Sequence, residues 1–174
     1  MRCRMPSSGT PEKMSTTYAL ITSAAVCVVA AALEGLCAGT NVKSYFAALR
    51  QPRFSPPFWV WTIIGGLFYV TFFFVLYRVL RGYDGAALRL ATVILILVMM
   101  LLNALWNYLF FRARKLAMSL AAAAFAPLTD VALLICLTRL DIAAAWALVP
   151  YLIYRVYSLW WVYGLWKANL RNIR

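Results

Sequence analysis

The sequence predicts an all-α integral membrane protein, a bundle of five transmembrane helices, and three observations carry that expectation. The 174-residue chain is 65% hydrophobic and only 13% charged, with a mean hydropathy of +0.80. A soluble domain of this size needs more polar surface, because a large share of its residues must face water. Five apolar runs follow one another, each near the ~20 residues that span a bilayer as helix. Finally, the Lys and Arg residues sit between those runs, as charges that fix topology do. The net charge of +12 therefore reads as topology, and nucleic acid is not expected as a partner.

In chain order, residues 1–17 are polar and read as a disordered tail, with Met14 an alternative start that would lead compactly into the first helix. The apolar runs are about 18–38, 58–80, 87–111, 115–138 and 142–166, and residues 171–174 form a basic tail. The first run has the basic front of a cleaved signal peptide. It is longer than a typical apolar signal core, and it carries Glu34 near its end, so it is read as a retained helix with Glu34 close to interfacial water. Ala31, Gly35 and Gly39 repeat every four residues there, either as a close-packing stripe or as filler. Gly65-Gly66 loosens the second helix or admits a neighbour, and Ala121–Ala124 makes one stretch of the fourth helix thin.

Connections are short except for residues 39–57. That segment leads into "QPRFSPPFWVW", Gln51–Trp61. Pro56 and Pro57 end extended chain where the second helix begins, a place where the missing proline N–H costs nothing. Phe54, Phe58, Trp59 and Trp61 can form an apolar lip, with Arg50 and Arg53 beside it. A simple re-entry loop with interfacial aromatics would have the same composition.

Orientation follows from Lys and Arg counts. One side has seven (Arg2, Arg4, Lys13, Arg78, Arg81, Arg89, Arg139) and the other nine (Lys43, Arg50, Arg53, Arg112, Arg114, Lys115, Lys167, Arg171, Arg174). The first count falls to four if the chain starts at Met14. The bias favours a cytoplasmic C-terminus.

Polar residues within membrane spans are functional candidates by default. Asn103 and Asn107 lie one turn apart on one face of the third helix, placed for interhelical hydrogen bonds or for ligand. Asp130 and Arg155 lie within the fourth and fifth helices. They can pair, or Arg155 can contact a ligand. Tyr151, Tyr154, Arg155, Ser158 and Trp161 recur at helical spacing on the fifth helix. Such an aromatic wall with hydroxyls and a cation suits a flat apolar ligand with an acidic edge. Leu159, Tyr163 and Lys167 match a permissive sterol pattern. The chain has no histidine, which removes the commonest metal ligand, general base and haem ligand. Its four cysteines show no C-x-x-C spacing, so neither a metal site nor a disulfide framework is expected, and no catalytic residue is assigned.

Three stretches taken in order resemble one family. "LRQPRFSPPFWVW" (Leu49–Trp61), "LNALWNYLFFRARKLAMSLA" (Leu102–Ala121) and "LVPYLIYRVYSLWWVYGLWKANL" (Leu148–Leu170) are similar to the first loop, third helix and last helix of the TspO/MBR family, the tryptophan-rich sensory or translocator proteins. The resemblance runs from about Tyr45 to Asn169. It implies a five-helix bundle, often a homodimer, with a pocket under the first loop that binds tetrapyrroles such as protoporphyrin and, in some members, sterols or benzodiazepine-type drugs. Taken with the polar-aromatic faces and the loop read above, the expected ligand-binding residues are Arg53, Phe54, Pro56, Pro57, Trp59, Trp61, Asn103, Trp106, Tyr151, Tyr154, Arg155 and Ser158. A tetrapyrrole would be ligand, not cofactor, and without histidine the metal-free form is favoured. The expected function is a membrane receptor or carrier for tetrapyrrole handling or stress sensing. The alternatives are a light-dependent porphyrin-degrading enzyme and a small proton-coupled exporter using Glu34.

The sequence departs from the family pattern at informative places. Gly65 and Tyr154 stand where pocket tryptophans are usual. Trp106-Asn107-Tyr108 lacks the usual proline, Val162 replaces an Asn, and Ala122 replaces an acidic residue, with Asp130 about two turns later. Because the two tryptophans are those tied to porphyrin photochemistry, the pocket is expected and the breakdown activity is not. Trp61, one turn before Gly65, can fill part of the vacated space.

Overall fold

The computed structural model describes residues 14–82 and 85–170. Most of the polar N-terminal tail and the basic C-terminal tail lie outside that range. The order of elements is α1 (Thr16–Ala38), α2 (Val42–Ala48), α3 (Phe58–Arg81), α4 (Ala86–Asn107), α5 (Leu116–Leu140) and α6 (Ile142–Asn169). Five of them are long and apolar enough to cross a membrane.

Local chemistry sets the boundaries. The Ser15 hydroxyl accepts the Tyr18 N–H at 3.3 Å. This N-cap starts α1 at Thr16, two residues inside the tail expected over 1–17. Gly39 ends α1 at φ 77°, a left-handed conformation that glycine adopts without a Cβ penalty. The short helix α2 was not anticipated; it lies within the long first connection. Pro57 precedes α3, which begins at Phe58 as the two prolines suggest. The last turn of α4 widens into a π-helical segment, Tyr108–Arg112, where the Ala113 N–H reaches back to the Tyr108 carbonyl at 2.8 Å. Asp141 is the single residue between α5 and α6, and its carboxylate accepts the Ala144 N–H at 3.0 Å. Helix α6 runs on to Asn169, three residues past the expected end.

The five spans form a closed ring. Helix α1 lies between α3 and α4, α5 lies between α4 and α6, and α6 packs back on α3. Because successive spans alternate in direction, the ring has two dissimilar ends.

At one end sit the α3–α4 connection and Asp141. Here Phe72, Val75, Leu76 and Val79 of α3 pack with Ile96 and Met99 of α4, Leu133 and Leu137 of α5, and Leu148 of α6. These side chains are essentially buried. Since lipid tails are as apolar as leucine, close van der Waals packing rather than transfer from water holds this cluster together. Outward positions such as Ile153 and Val156 are apolar and exposed, as a lipid-facing surface requires. On the rim, Arg78 Nε meets Asp141 Oδ2 at 2.8 Å.

At the other end the helices enclose space, and the first connection covers it. This connection is fastened to α6. The Asn169 amide accepts the Arg50 N–H at 3.1 Å and donates to the Arg50 carbonyl at 3.0 Å. Trp161 Nε1 donates to Ser55 Oγ at 2.8 Å, and Tyr157 OH donates to the Phe54 carbonyl at 2.9 Å. Gly164 lets Pro52 lie against α6: a Cβ there would meet the proline ring at 3.0 Å. Phe54 itself sits at φ 61°, a conformation costing about 1–2 kcal/mol for a residue with a Cβ. The strap is thus held in its turn by bonds at both flanks.

Candidate functional site

Beneath the strap lies a cavity of about 430 Å³. That is within the ~300–1,000 Å³ typical of small-molecule sites. One wall is aromatic. Trp61 of α3 packs on Trp161 of α6 with ring centroids 4.3 Å apart, stacks on Tyr157 at 6.3 Å and meets Tyr154 edge-on at 6.2 Å. On the α4 side Trp106 stacks on Phe110 at 4.8 Å, where the π-helical turn swings Phe110 and Phe111 inward beneath Tyr45. Trp61 Nε1 is buried without a partner in the protein.

Another stretch of the lining is thin. Ala31 and Gly35 of α1 and Gly65 and Gly66 of α3 line the cavity there. A Cβ placed at any of these three glycines would touch nothing within 4 Å. The Ala31–Gly35 part of the small-residue stripe thus borders the cavity. Trp61 occupies the wall, but the space at Gly65 stays open.

Two polar groups reach the cavity from opposite sides. Arg155 of α6 lines it, and its Nε meets Asp130 Oδ2 of α5 at 3.0 Å. The pair suggested by the sequence therefore forms, and Arg155 lines the cavity as well. Its guanidinium carbon also lies 5.7 Å from the centre of the Tyr151 ring, within cation–π range. Across from it, Glu34 of α1 is the focus of three donors. Tyr69 OH and Asn103 Nδ2 (2.7 Å) both donate to Oε2, and Asn107 Nδ2 donates to Oε1 at 3.0 Å.

This corrects the placement of Glu34 near a helix end in interfacial water. It is near the end of α1, but the face it occupies turns inward to α3 and α4. Asn103 and Asn107 do make the interhelical bonds their spacing suggested, with this carboxylate as common acceptor. Tyr69 and Glu34 belong to the cavity and were missing from the ligand-binding set. An acidic residue at a small-residue seam was the signal for Glu34; nothing in the sequence marked Tyr69.

Of the expected ligand residues, the cavity gathers Trp61, Asn103, Trp106, Tyr151, Tyr154, Arg155 and Ser158. It does not gather Arg53, Phe54, Pro56, Pro57 or Trp59. Arg53, Phe54, Pro57 and Trp59 are exposed, with Phe54 at 87% and Trp59 at 63%. The imagined lip therefore splits: Phe58 and Trp61 line the cavity, while Phe54 and Trp59 point away. Trp59 lies two positions from Trp61, which on a helix is nearly the opposite face. Leu159, Tyr163 and Lys167 lie outside the cavity, with Tyr163 and Lys167 exposed on α6.

Outside the spans, one carboxyl has a defined electrostatic setting. Partial burial works to raise Asp141, but hydrogen bonds from Arg78 and from the Ala144 and Ala143 N–H groups, with the Arg78 charge, hold it below the usual carboxylate range.

Fold and site together define a multi-pass integral membrane protein with a roofed aromatic cavity between its helices. The TspO/MBR family model matches residues 23–167, and the chain belongs to that family. A comparison with curated proteins finds no match. Family membership supports a receptor- or transporter-type role in the membrane.

Proposed function

We propose that the protein is a membrane receptor or carrier whose cavity takes a planar apolar ligand of the tetrapyrrole class, with metal-free protoporphyrin the favoured example. The observation that carries this reading is one roofed cavity in which the Trp61–Trp161 indole pair lies beside the open space at Gly65, one turn further along α3. A flat ring can lie against the indoles, and Arg155, held by Asp130 through Nε, can turn its other N–H groups to a carboxylate or carbonyl on the ring edge. Arg155, rather than Arg53 of the strap, is then the cation that meets the ring edge. The same reading takes the protein as a homodimer in membrane lipid, as the family resemblance implies, with its C-terminus in the cytoplasm, as the Lys and Arg bias implies. A sterol bound at Leu159, Tyr163 and Lys167 would lie on the outer face of α6, apart from the cavity.

The test is a protoporphyrin titration of the detergent-purified protein, in the dark and then under light. Saturable tryptophan quenching with unchanged porphyrin bands is expected. Bands that decay only with light and protein would favour the degrading enzyme instead, with Trp61 or Trp161 as the redox partner. Absence of saturable quenching would exclude the tetrapyrrole reading.

A further inference from the structure

The cavity holds a second recognition element, at the end away from Arg155. Glu34 is a carboxylate whose partners on α3 and α4 are all neutral: a phenol and two amides. Among the described residues no Lys or Arg pairs with it. Arg112, which reaches α1 from the π-helical turn, gives Nη1 to the Leu36 carbonyl at 3.2 Å instead. Arg155 cannot balance it fully either, because Asp130 already engages that cation. The described charged groups around the cavity are therefore two carboxylates and one guanidinium.

The geometry leaves Glu34 able to accept more. An ionised carboxylate has about four acceptor sites. Three are used: two on Oε2 and one on Oε1. Glu34 is half-buried and lines the cavity, so the remaining capacity faces the space a ligand would fill. Burying an unbalanced carboxylate is costly unless it is paired. Asn103 and Asn107, one turn apart, both spend their amides on holding it in place. Two amide donors fix the oxygens as acceptors and orient them. A π-helical turn begins at the very next residue after Asn107, in a position where such turns often mark functional sites.

We propose that Glu34 is the docking point for a cationic or N–H-donating group, so that the cavity selects planar apolar ligands with a basic or N–H-bearing edge. Tyr69, Asn103 and Asn107 act as positioning residues for it. This rests on the reading of the cavity as a site for a planar ligand, and it narrows the ligand class. A ring carrying only carboxylates would meet Arg155 but leave Glu34 without a counterpart. A ring with a protonated amine or an outward N–H would satisfy both ends.

Three probes separate the two claims: proflavine, a planar aromatic cation; anthracene carboxylate, a three-ring anion of similar shape; and protoporphyrin. Each is titrated into the wild-type protein and the Glu34→Gln and Glu34→Asp variants, with tryptophan quenching as the readout. Wild type is expected to bind proflavine saturably. Glu34→Gln should weaken proflavine by about tenfold or more, the size of one lost charge-assisted bond, and Glu34→Asp should recover part of it. Anthracene carboxylate should bind Glu34→Gln at least as well as wild type, which also shows that the variant's cavity is intact. Equal proflavine affinity in wild type and Glu34→Gln would overturn the proposal, as would protoporphyrin binding without any saturable proflavine binding. Glu34-dependent proflavine binding without protoporphyrin binding would uphold it and remove the tetrapyrrole assignment alone.

Discussion

The two ends of the bundle are built on opposite rules. The end around Phe72, Leu76, Ile96, Leu133 and Leu148 is filled, apolar and sealed. The end around Trp61, Trp161, Glu34 and Arg155 is hollow, aromatic with a few polar groups, and roofed by a strap. The same five helices pass through both. What differs is side-chain size at the inward positions: α3 carries Phe72, Val75 and Leu76 toward one end and Gly65 and Gly66 toward the other. The filled end supplies rigidity, so that the hollow end can hold carboxylate, guanidinium and indoles at fixed separations without closing on itself. The comparison implies that stability and ligand binding reside in different halves and can be perturbed separately.

The largest stability effect is expected in the filled half. Phe72→Ala, at a site with no exposure, should destabilise by about 3–5 kcal/mol, read as a fall in thermal midpoint in detergent. Ligand affinity of the folded fraction should be unchanged. A Phe72→Ala protein that kept its stability but lost binding would break the division.

The boundary between the halves is Asp130–Arg155. Removing the cation in Arg155→Leu leaves Asp130, only 4% exposed, uncompensated. The expected cost is about 3–5 kcal/mol or somewhat less, since Asp130 can protonate. Restoring neutrality with Asp130→Asn in the same chain should recover much of it, and thermal unfolding of the single and double variants measures the recovery.

Strap variants should have smaller effects. Asn169→Ala removes both bonds to Arg50, at about 1–3 kcal/mol. Limited proteolysis within residues 49–57 should quicken before global stability falls measurably.

The smallest effect of this kind lies on the rim of the filled half. Asp141→Asn weakens the bond to Arg78 and the cap on α6, worth about 1 kcal/mol or less for a pair open to solvent. Because the folded Asp141 carboxyl lies below its ordinary range, its contribution is complete above about pH 4. It fades as pH falls through the folded value. The wild type and variant should therefore differ in thermal midpoint at neutral pH and converge in acid.

Most of the fold was legible in the chain. Five apolar runs of spanning length leave few alternatives in a bilayer, because every backbone polar group must be paired within a helix. The proline pair located the start of α3 to the residue. Helix ends were less legible, since the Ser15 cap, the π-helical turn and the extension to Asn169 depend on bonds to specific partners. For the cavity, six of the seven expected residues that converged lie on α4 and α6, which show one polar-aromatic face each; Trp61 joins them from α3. Glu34 and Tyr69 escaped because their bond spans 35 residues in sequence and depends on which face of α1 turns inward. The helix α1 is apolar nearly all round, so periodicity could not show this. Trp59 and Phe54 were misplaced because composition alone does not say which aromatics of a short stretch share a face.

The claim that the hollow half is the ligand site meets its most direct test at Gly65. A side chain there has open space around it, so Gly65→Phe should fill the cavity with little loss of stability; replacing a helical glycine can even add up to about 1 kcal/mol. Protoporphyrin is titrated into wild type and Gly65→Phe, with the shift of the porphyrin absorption bands as readout and thermal unfolding as control. The account predicts saturable binding to the wild type and at least a tenfold loss in a variant that unfolds at or above the wild-type midpoint. Unchanged affinity in that stable variant would contradict it and place the ligand outside the cavity.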